Sequence, residues 1–138
     1  MRILVTEAEQ RLAPLDSINL QLAANGRGIP PDVRHDFAAR NKTSCPIKPI
    51  LGIERLQFIS KHDEEKIFKT GWGEFHKRYG KDAEIVSLSR VGFNADRTLA
   101  LLHVSTAIGP NAGGGMLYLF ERKGGQWSIK TRVATWAT

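Results

Sequence analysis

His103 is the residue of this chain whose surroundings best suit acid–base chemistry. It lies in a strongly apolar run, and Ser105 falls on the same side of the predicted strand because strand side chains alternate. A buried histidine changes its pKa with its surroundings and can transfer a proton. The sequence places no Asp or Glu beside it, so it favours a hydrogen-bonded core or surface histidine over a small enzyme that uses His103 as acid or base.

Nucleophilic and metal-ligating residues do not fall into a recognisable pattern. Ser87 and Ser89 alternate along a strand-like segment, but the Gly-x-Ser-x-Gly elbow of serine hydrolases is absent. Nothing local to Cys45 supplies a clear cause for a lowered thiol pKa, and the four histidines lack the spacing of zinc ligands. We therefore expect no catalytic residue set, no metal and no cofactor.

Aromatic side chains are the second group that could form a site, because concave ligand pockets are often lined by aromatic rings. This aromatic set consists of Trp72, Phe75, Tyr79, Trp127 and Trp136. Trp72 stands between two glycines, which predicts a loop that caps the sheet, and an ordinary core is the favoured interpretation for the aromatic set. The residues that we predict to bind a ligand, if a pocket forms, are His103, Ser105, Ser89, Trp72, Tyr79 and Tyr118.

Glycines crowd the segment 109–115, where backbone N–H groups could hold an anion. A Walker loop would need Gly-Lys-Ser/Thr followed by a helix, and here a strand is predicted to follow. We interpret the segment as a flexible loop that could gate a pocket.

The formal charge is +6, and the stretch 122–132 carries four basic residues and no acid. Such a stretch can attract nucleic acid or another anionic partner. No aromatic-interleaved basic groove accompanies it in the sequence, so a solvated hairpin face is favoured over nucleic-acid binding.

Local signals before residue 83 predict short helices and short strands. Strands are predicted at 2–6 and 55–60, and helices at 16–24, from Pro30 to Asn41, after Ser60, and up to Gly80. Residues 42–52 contain two prolines and a glycine and predict an extended connector.

From Ala83 the hydrophobic period changes to two, which predicts strands. We expect a loop at 109–115, a tight hairpin at Gly124-Gly125, and strands at 84–94, 98–108, 116–123 and 126–136. The 98–108 strand is apolar on both sides, which is typical of a central strand. In the last strand, Trp127, Ile129, Thr131 and Val133 share one side, which indicates a half-buried strand near an edge.

These patterns predict an α+β fold with short helices preceding a four- to five-stranded antiparallel meander. Average composition and 138 residues favour one domain over residues 1–138, with a mixed helical layer at 1–82 and the meander at 83–138. No window resembles a signal peptide or a membrane span, so we expect a cytoplasmic protein that does not enter membranes. A homodimer formed through the meander is compatible with a half-exposed sheet.

A set of spaced motifs resembles a group of small bacterial proteins of uncharacterised function, over roughly residues 31–138. The motifs are Asp36-Phe37-x-x-Arg40-Asn41, Phe75-x-x-x-Tyr79, Ser89-Arg90-Val91-Gly92-Phe93-Asn94, the glycine-rich segment, Gly125-x-Trp127 and Trp136-Ala137-Thr138. The relatives often carry cysteines in the glycine loop and an export signal, whereas here the loop contains no cysteine and no window of the sequence resembles an export signal. The resemblance implies no activity and no functional residues. More loosely, the order of elements is similar to cystatin-like and nuclear-transport-factor-like architectures, which bind small molecules, catalyse or dimerise.

The sequence therefore favours a non-enzymatic module that binds a small molecule or a protein partner. It would use the concave face of the sheet or the edge near the glycine segment. The enzyme based on His103 and weak nucleic-acid binding through 122–132 remain the alternatives.

Overall fold

A computed structural model describes residues 3–6, 28–43, 56–59 and 61–137. The predicted helix at 16–24, most of the connector at 42–52 and Cys45 lie outside the described residues. Within the described ranges the strands are β1 (Ile3–Thr6), β2 (Leu56–Ile59), β3 (Glu84–Leu88), β4 (Gly92–Phe93), β5 (Leu99–Gly109), β6 (Ala112–Lys123) and β7 (Gln126–Ala137). The helices are α1 (Pro31–Arg40), α2 (Lys61–Thr70) and α3 (Trp72–Tyr79).

One sheet contains all of these strands, in the order β2-β1-β3-β5-β6-β7, with β4 pairing β5. The strands β3 to β7 are antiparallel, which confirms the predicted α+β class with its antiparallel meander. β1 adds to this sheet in parallel with both β2 and β3. The first and last parts of the chain thus share a single sheet.

The helices begin and end where the sequence predicts, with one correction. α1 begins at Pro31, where a proline costs no helical hydrogen bond, and gives way to Asn41. α3 ends at Gly80, whose φ of 109° suits glycine. Trp72 was expected in a capping loop, but it is the first residue of α3, because the chain turns at Gly71 and Phe75 N donates back to Gly71 O at 3.3 Å.

The sheet has two different faces. On the helix face, defined here by Ile85, Leu101, His103, Leu117 and Leu119, α1 and α3 cover the strands. Two apolar clusters fill this side: one lies beneath α1 and contains Val33, Phe37, Leu101, Leu117 and Leu119, and the other lies around α3 and contains Ile59, Phe75, Tyr79, Ala83 and Ile85. On the groove face, defined by Ala100, Leu102, Phe120, Arg122 and Trp127, the alternate side chains line a groove.

The strand predicted at 84–94 is interrupted in the structure. β3 and β4 both pair with β5, but residues 89–91 between them leave the ladder. The cause is tertiary: the carboxyl end of α1 hydrogen-bonds this segment, as described below. Strand propensity alone does not contain that information.

The flexible loop predicted at 109–115 is wrong. β5 and β6 are joined by a turn at Pro110-Asn111, and residues 112–115 already belong to β6. Glycine in a strand often marks a close approach. A side chain at Gly113 would come within 2.6 Å of Thr106 O, and one at Gly115 would collide with the Trp136 ring. These glycines therefore make space inside a hairpin.

The single buried side predicted for the last strand is also wrong. Leu119 pairs with Thr131 and Phe120 pairs with Ile129, so Lys130 is an extra residue in β7. Such a β-bulge moves the following side chains to the other face. Trp127 and Ile129 consequently belong to the groove face, where they are 42% and 49% exposed, whereas Val133 packs in the core.

Helices long and apolar enough to cross a bilayer do not occur among the described residues.

Candidate functional site

The six predicted ligand-binding residues lie in three separate places. Ser89, His103 and Ser105 are on or beside β5 on the helix side of the sheet. Trp72 and Tyr79 belong to the aromatic cluster of α3. Tyr118 is on the groove face, because it pairs with Leu102. The structure does not bring the six together into one pocket.

His103 is a core residue, 6% exposed, with a hydroxyl partner. Its Nε2 atom is 2.8 Å from Thr135 Oγ1, which it reaches across β6 at the point where Gly115 has no side chain. Burial lowers the pKa of His103 from 6.5 to about 4, so the ring is neutral at physiological pH. Among the described residues its hydrogen-bond partner is Thr135 and not a carboxylate, which makes it poorly suited to acid–base catalysis.

Ser89 supplies hydrogen bonds at the strand break beside His103. Its backbone N donates to His103 O at 2.9 Å, and its hydroxyl accepts from His103 N at 2.7 Å and donates to Arg90 O at 3.0 Å. The hydroxyl thus replaces a ladder partner that the interruption removes. The hydrogen bonds that the structure gives this serine are structural.

Asn41, which follows the last residue of α1, forms hydrogen bonds with the same strand break. Its side chain, 1% exposed, donates to Phe37 O at 2.9 Å and to Arg90 O at 3.0 Å, and it accepts from Arg90 N at 2.9 Å. The Arg90 side chain in turn donates to Arg40 O and to the Thr43 hydroxyl, each at 3.0 Å. A buried amide that satisfies backbone groups on two segments fixes their relative position.

Asp36 fastens β4 to α1. Its carboxylate accepts from Phe93 N at 2.7 Å and from Arg40 Nε at 2.8 Å. Burial pulls its pKa upward, but the hydrogen bond from Phe93 N, the hydrogen bond and charge of Arg40 and the charge of Arg97 outweigh this and hold the pKa below its usual value. Next to it, Gly92 lies against the backbone of Phe37. The two motifs that include Asp36–Asn41 and Ser89–Asn94 therefore dock a helix on the sheet.

Trp72 and Tyr79 flank Phe75 in the cluster around α3. Each ring centroid is 5.2 Å from that of Phe75, and Trp72 also stacks on His76 at 5.8 Å. Tyr79 is buried, with the Arg78 guanidinium 5.2 Å from its ring centroid. These contacts match the core interpretation for Trp72, Phe75 and Tyr79, but that interpretation is wrong for Trp127 and Trp136, which are exposed.

The groove face carries a cavity that the predicted set did not anticipate. Its volume is about 480 Å³, which falls within the usual range for small-molecule sites. The residues that line it come from the strand break, β4, the following turn and β5, β6 and β7: Val91, Phe93, Arg97, Ala100, Leu102, Phe120, Arg122 and Trp127. We call it the aromatic–arginine groove.

Arginines lie on the rings of this groove. Arg97 is 4.9 Å from the Phe93 centroid and Arg122 is 5.6 Å from the Trp127 centroid. The two rings are 6.4 Å apart, and Arg40 reaches the Phe93 ring at 5.7 Å from outside the groove. Two cations thus stand over two neighbouring π-faces.

Arg97 occupies an unfavourable backbone conformation. Its φ is 56°, the left-handed region that costs a non-glycine residue about 1 kcal/mol. The turn is held by several hydrogen bonds: Arg97 N to Asn94 O at 3.1 Å, Leu99 N to Asn94 Oδ1 at 2.9 Å, and the Thr98 hydroxyl to Asp96 Oδ1 at 2.7 Å. Backbone strain that the surrounding structure maintains is typical of functional sites.

Electrostatically, the groove favours anions. Arg97 and Arg122 are its charged lining residues, and no Asp or Glu lines it. Two described acids lie near it: Asp36 pairs with Arg40 and also interacts with the charge of Arg97, and Asp96 accepts hydrogen bonds from Thr98, which lower its pKa. The groove can therefore hold a negative charge beside an aromatic surface.

Some of the groove residues belong to sequence patterns that could have pointed to the groove. Arg122 belongs to the basic stretch, Trp127 to the Gly-x-Trp motif, and Tyr118, Phe120 and Arg122 alternate along one strand. The other aromatic partners of the basic stretch lie outside it in sequence: Phe93 is on β4, and Phe120 precedes Arg122 on β6.

Among the described residues no three His, Cys, Asp or Glu side chains come together as a metal site would require. Comparison of the chain with protein-family models, with curated proteins and with solved structures found no match, and the resemblance based on its motifs stays a prediction.

Proposed function

We propose that this protein is a non-enzymatic binding module whose site is the aromatic–arginine groove. Its ligand would be a planar ring that carries a negative charge. The observation that carries this proposal is the placement of Arg97 and Arg122 over the faces of Phe93 and Trp127, in an apolar groove that no acid lines.

The groove offers two interactions that act together on such a ligand. A planar ring can stack on Phe93 or Trp127, and stacking of a base on an aromatic side chain contributes about 1–3 kcal/mol. An arginine displaced from that ring can then form a charge-assisted, bidentate contact with a carboxylate or phosphate. A ligand that has only a ring or only a charge would use half of the site.

Binding rather than catalysis is supported by what lines the groove. Its residues are valine, phenylalanine, arginine, alanine, leucine and tryptophan, so it contains no nucleophile and no group that titrates near neutral pH. The alternative enzyme would rely on His103, which belongs to the opposite face and is bonded to Thr135 in the core.

Calorimetric titration with three matched sets of compounds tests the proposal. The first set joins ring and charge, as in nucleoside monophosphates and indole-3-acetate. The second has the ring alone, as in nucleosides and indole, and the third has the charge alone, as in ribose 5-phosphate and acetate. We expect measurable binding of the first set and none, or far weaker binding, of the other two.

Variants locate the binding. Trp127→Ala and Arg122→Ala should each weaken the affinity roughly tenfold, the loss of about 1.4 kcal/mol of contact. Arg78→Ala is the matched control, because Arg78 also stands over an aromatic ring, that of Tyr79, outside the groove. Binding that survives both groove substitutions, or that Arg78→Ala reduces as much, would contradict the proposal.

A further inference from the structure

We infer that the groove face binds single-stranded nucleic acid, whose bases stack in the aromatic–arginine groove and whose backbone continues along β6 and β7 to Arg132. This inference rests on the proposed function and specifies its ligand. It follows from the residues beyond the groove on the same face of the sheet.

Aromatic positions continue past the groove along β6. Tyr118, Phe120 and Arg122 occupy alternate positions, and the Tyr118 and Phe120 ring centroids are 6.1 Å apart. With the 6.4 Å between Phe93 and Trp127, the face presents two neighbouring pairs of rings. Successive stacked bases in a single strand require such a row of platforms, whereas one planar small molecule requires a single platform.

Cations continue in the same direction. Arg132 pairs with Tyr118 in the β6–β7 ladder, so it lies on the groove face four residues along β6 from Arg122. At about 3.3 Å per residue, these four residues place the Arg122 and Arg132 positions roughly 13 Å apart along the strands. At this spacing the phosphates of successive nucleotides in an extended strand can contact both arginines.

Acidic residues are absent from this path. The groove-face positions of β5, β6 and β7, taken from their pairing, hold no Asp or Glu. Glu121, which is next to Arg122, belongs to the other face, and its carboxylate contacts Lys123 at 3.5 Å and Lys130 at 3.7 Å. The path along the strands from Arg122 to Arg132 is therefore complementary to a polyanion.

A single strand fits this surface better than a duplex. Paired bases hide their faces inside the double helix, so the rings of Phe93 and Trp127 would have nothing to stack on. Unpaired bases expose both faces, and arginines that leave the rings can follow the phosphates. Stacking tolerates any base, so we expect little sequence preference.

Fluorescence anisotropy with a labelled deoxythymidine oligomer of about twelve nucleotides tests the inference. A duplex of the same length and uridine monophosphate serve as comparisons. We expect the oligomer to bind at least tenfold more tightly than the mononucleotide and more tightly than the duplex. Between about 50 and 200 mM salt the affinity should fall with a log–log slope of about −0.7 for each phosphate contacted.

Arg132→Ala separates this inference from the proposed function. Because Arg132 lies outside the groove, its removal should leave mononucleotide binding unchanged. Oligomer binding should weaken, and the salt slope should become less steep by about 0.7, the contribution of one phosphate. Arg78→Ala should change neither value, because Arg78 is on α3 and contacts Tyr79.

The outcomes distinguish the two claims. If mononucleotides bind in the groove but the oligomer binds no more tightly, or Arg132→Ala has no effect on it, the inference is overturned and the proposed function stands. Equal affinity for duplex and single strand overturns the inference as well. If neither mononucleotides nor the other planar anions bind, both claims fail.

Discussion

The polar side chains on the two faces of the sheet differ in their exposure and in their partners. On the helix face, Asn41 and His103 are 1% and 6% exposed, and their polar atoms bond to backbone groups or to Thr135. On the groove face, Arg97 and Arg122 are exposed and rest on aromatic rings. A polar group that is buried and satisfied stabilises the fold, whereas a cation on an exposed ring is free to exchange that contact for a ligand.

Gly92→Ala should have the largest effect on the helix face. Its Cβ would lie 2.5 Å from the Phe37 backbone, and a backbone cannot move aside as a flexible side chain does. We expect the free energy of unfolding to fall by more than about 3 kcal/mol, measured by urea denaturation. Gly73→Ala is the control: it has open space around it in α3 and should raise the free energy by up to about 1 kcal/mol. Equal effects would mean that α1 does not pack closely on β4.

Asn41→Ala tests how much the hydrogen bonds between α1 and the strand break stabilise the fold. It removes three hydrogen bonds and deprives the Arg90 N–H of the acceptor that Asn41 supplies, while the Arg90 C=O keeps the Ser89 hydroxyl, so we expect a loss of about 3 kcal/mol. Lys42→Ala, at the exposed neighbouring position, should change stability by less than about 0.5 kcal/mol. A small effect of Asn41→Ala would show that these hydrogen bonds contribute little to the free energy of unfolding.

His103 should make stability depend on pH. Because its pKa is about 4 in the folded protein and 6.5 when unfolded, the unfolded state binds more protons between these values. The free energy of unfolding should therefore decrease as the pH falls from 6.5 to 4, by on the order of 2–3 kcal/mol. His103→Gln should remove this part of the slope in urea denaturation series. An unchanged slope would mean that His103 is not desolvated.

Arg97→Gly should have the smallest effect on stability and a clear effect on binding. Glycine relieves about 1 kcal/mol of left-handed strain, which offsets a cation–π contact of similar size. We expect the free energy of unfolding to change by less than about 1 kcal/mol, while the affinity for planar anions falls roughly tenfold. Intact binding in this variant would separate the strained arginine from the site.

The sequence predicts the elements that local signals determine. The proline that begins α1, the glycine that ends α3 and the Gly124-Gly125 turn each set the backbone directly, and alternation places β5 at the centre of the sheet. The break at 89–91 and the bulge at Lys130 escaped prediction, because Asn41 and the β6 pairing produce them from a distance. The groove escaped prediction because Phe93, on β4, is remote in sequence from the β6–β7 hairpin that carries Phe120 and Trp127, and because the bulge at Lys130 separates the face of Trp127 from that of Val133.

Amide chemical-shift mapping during titration with uridine monophosphate would show which face binds the ligand, because it reports both faces in one experiment. We expect the largest shift changes at Phe93, Arg97, Phe120, Arg122 and Trp127, while the amide signals of Asn41, Arg90 and His103 do not shift. Changes centred on His103 or on Trp72 and Tyr79, or no saturable change anywhere, would contradict the proposed function.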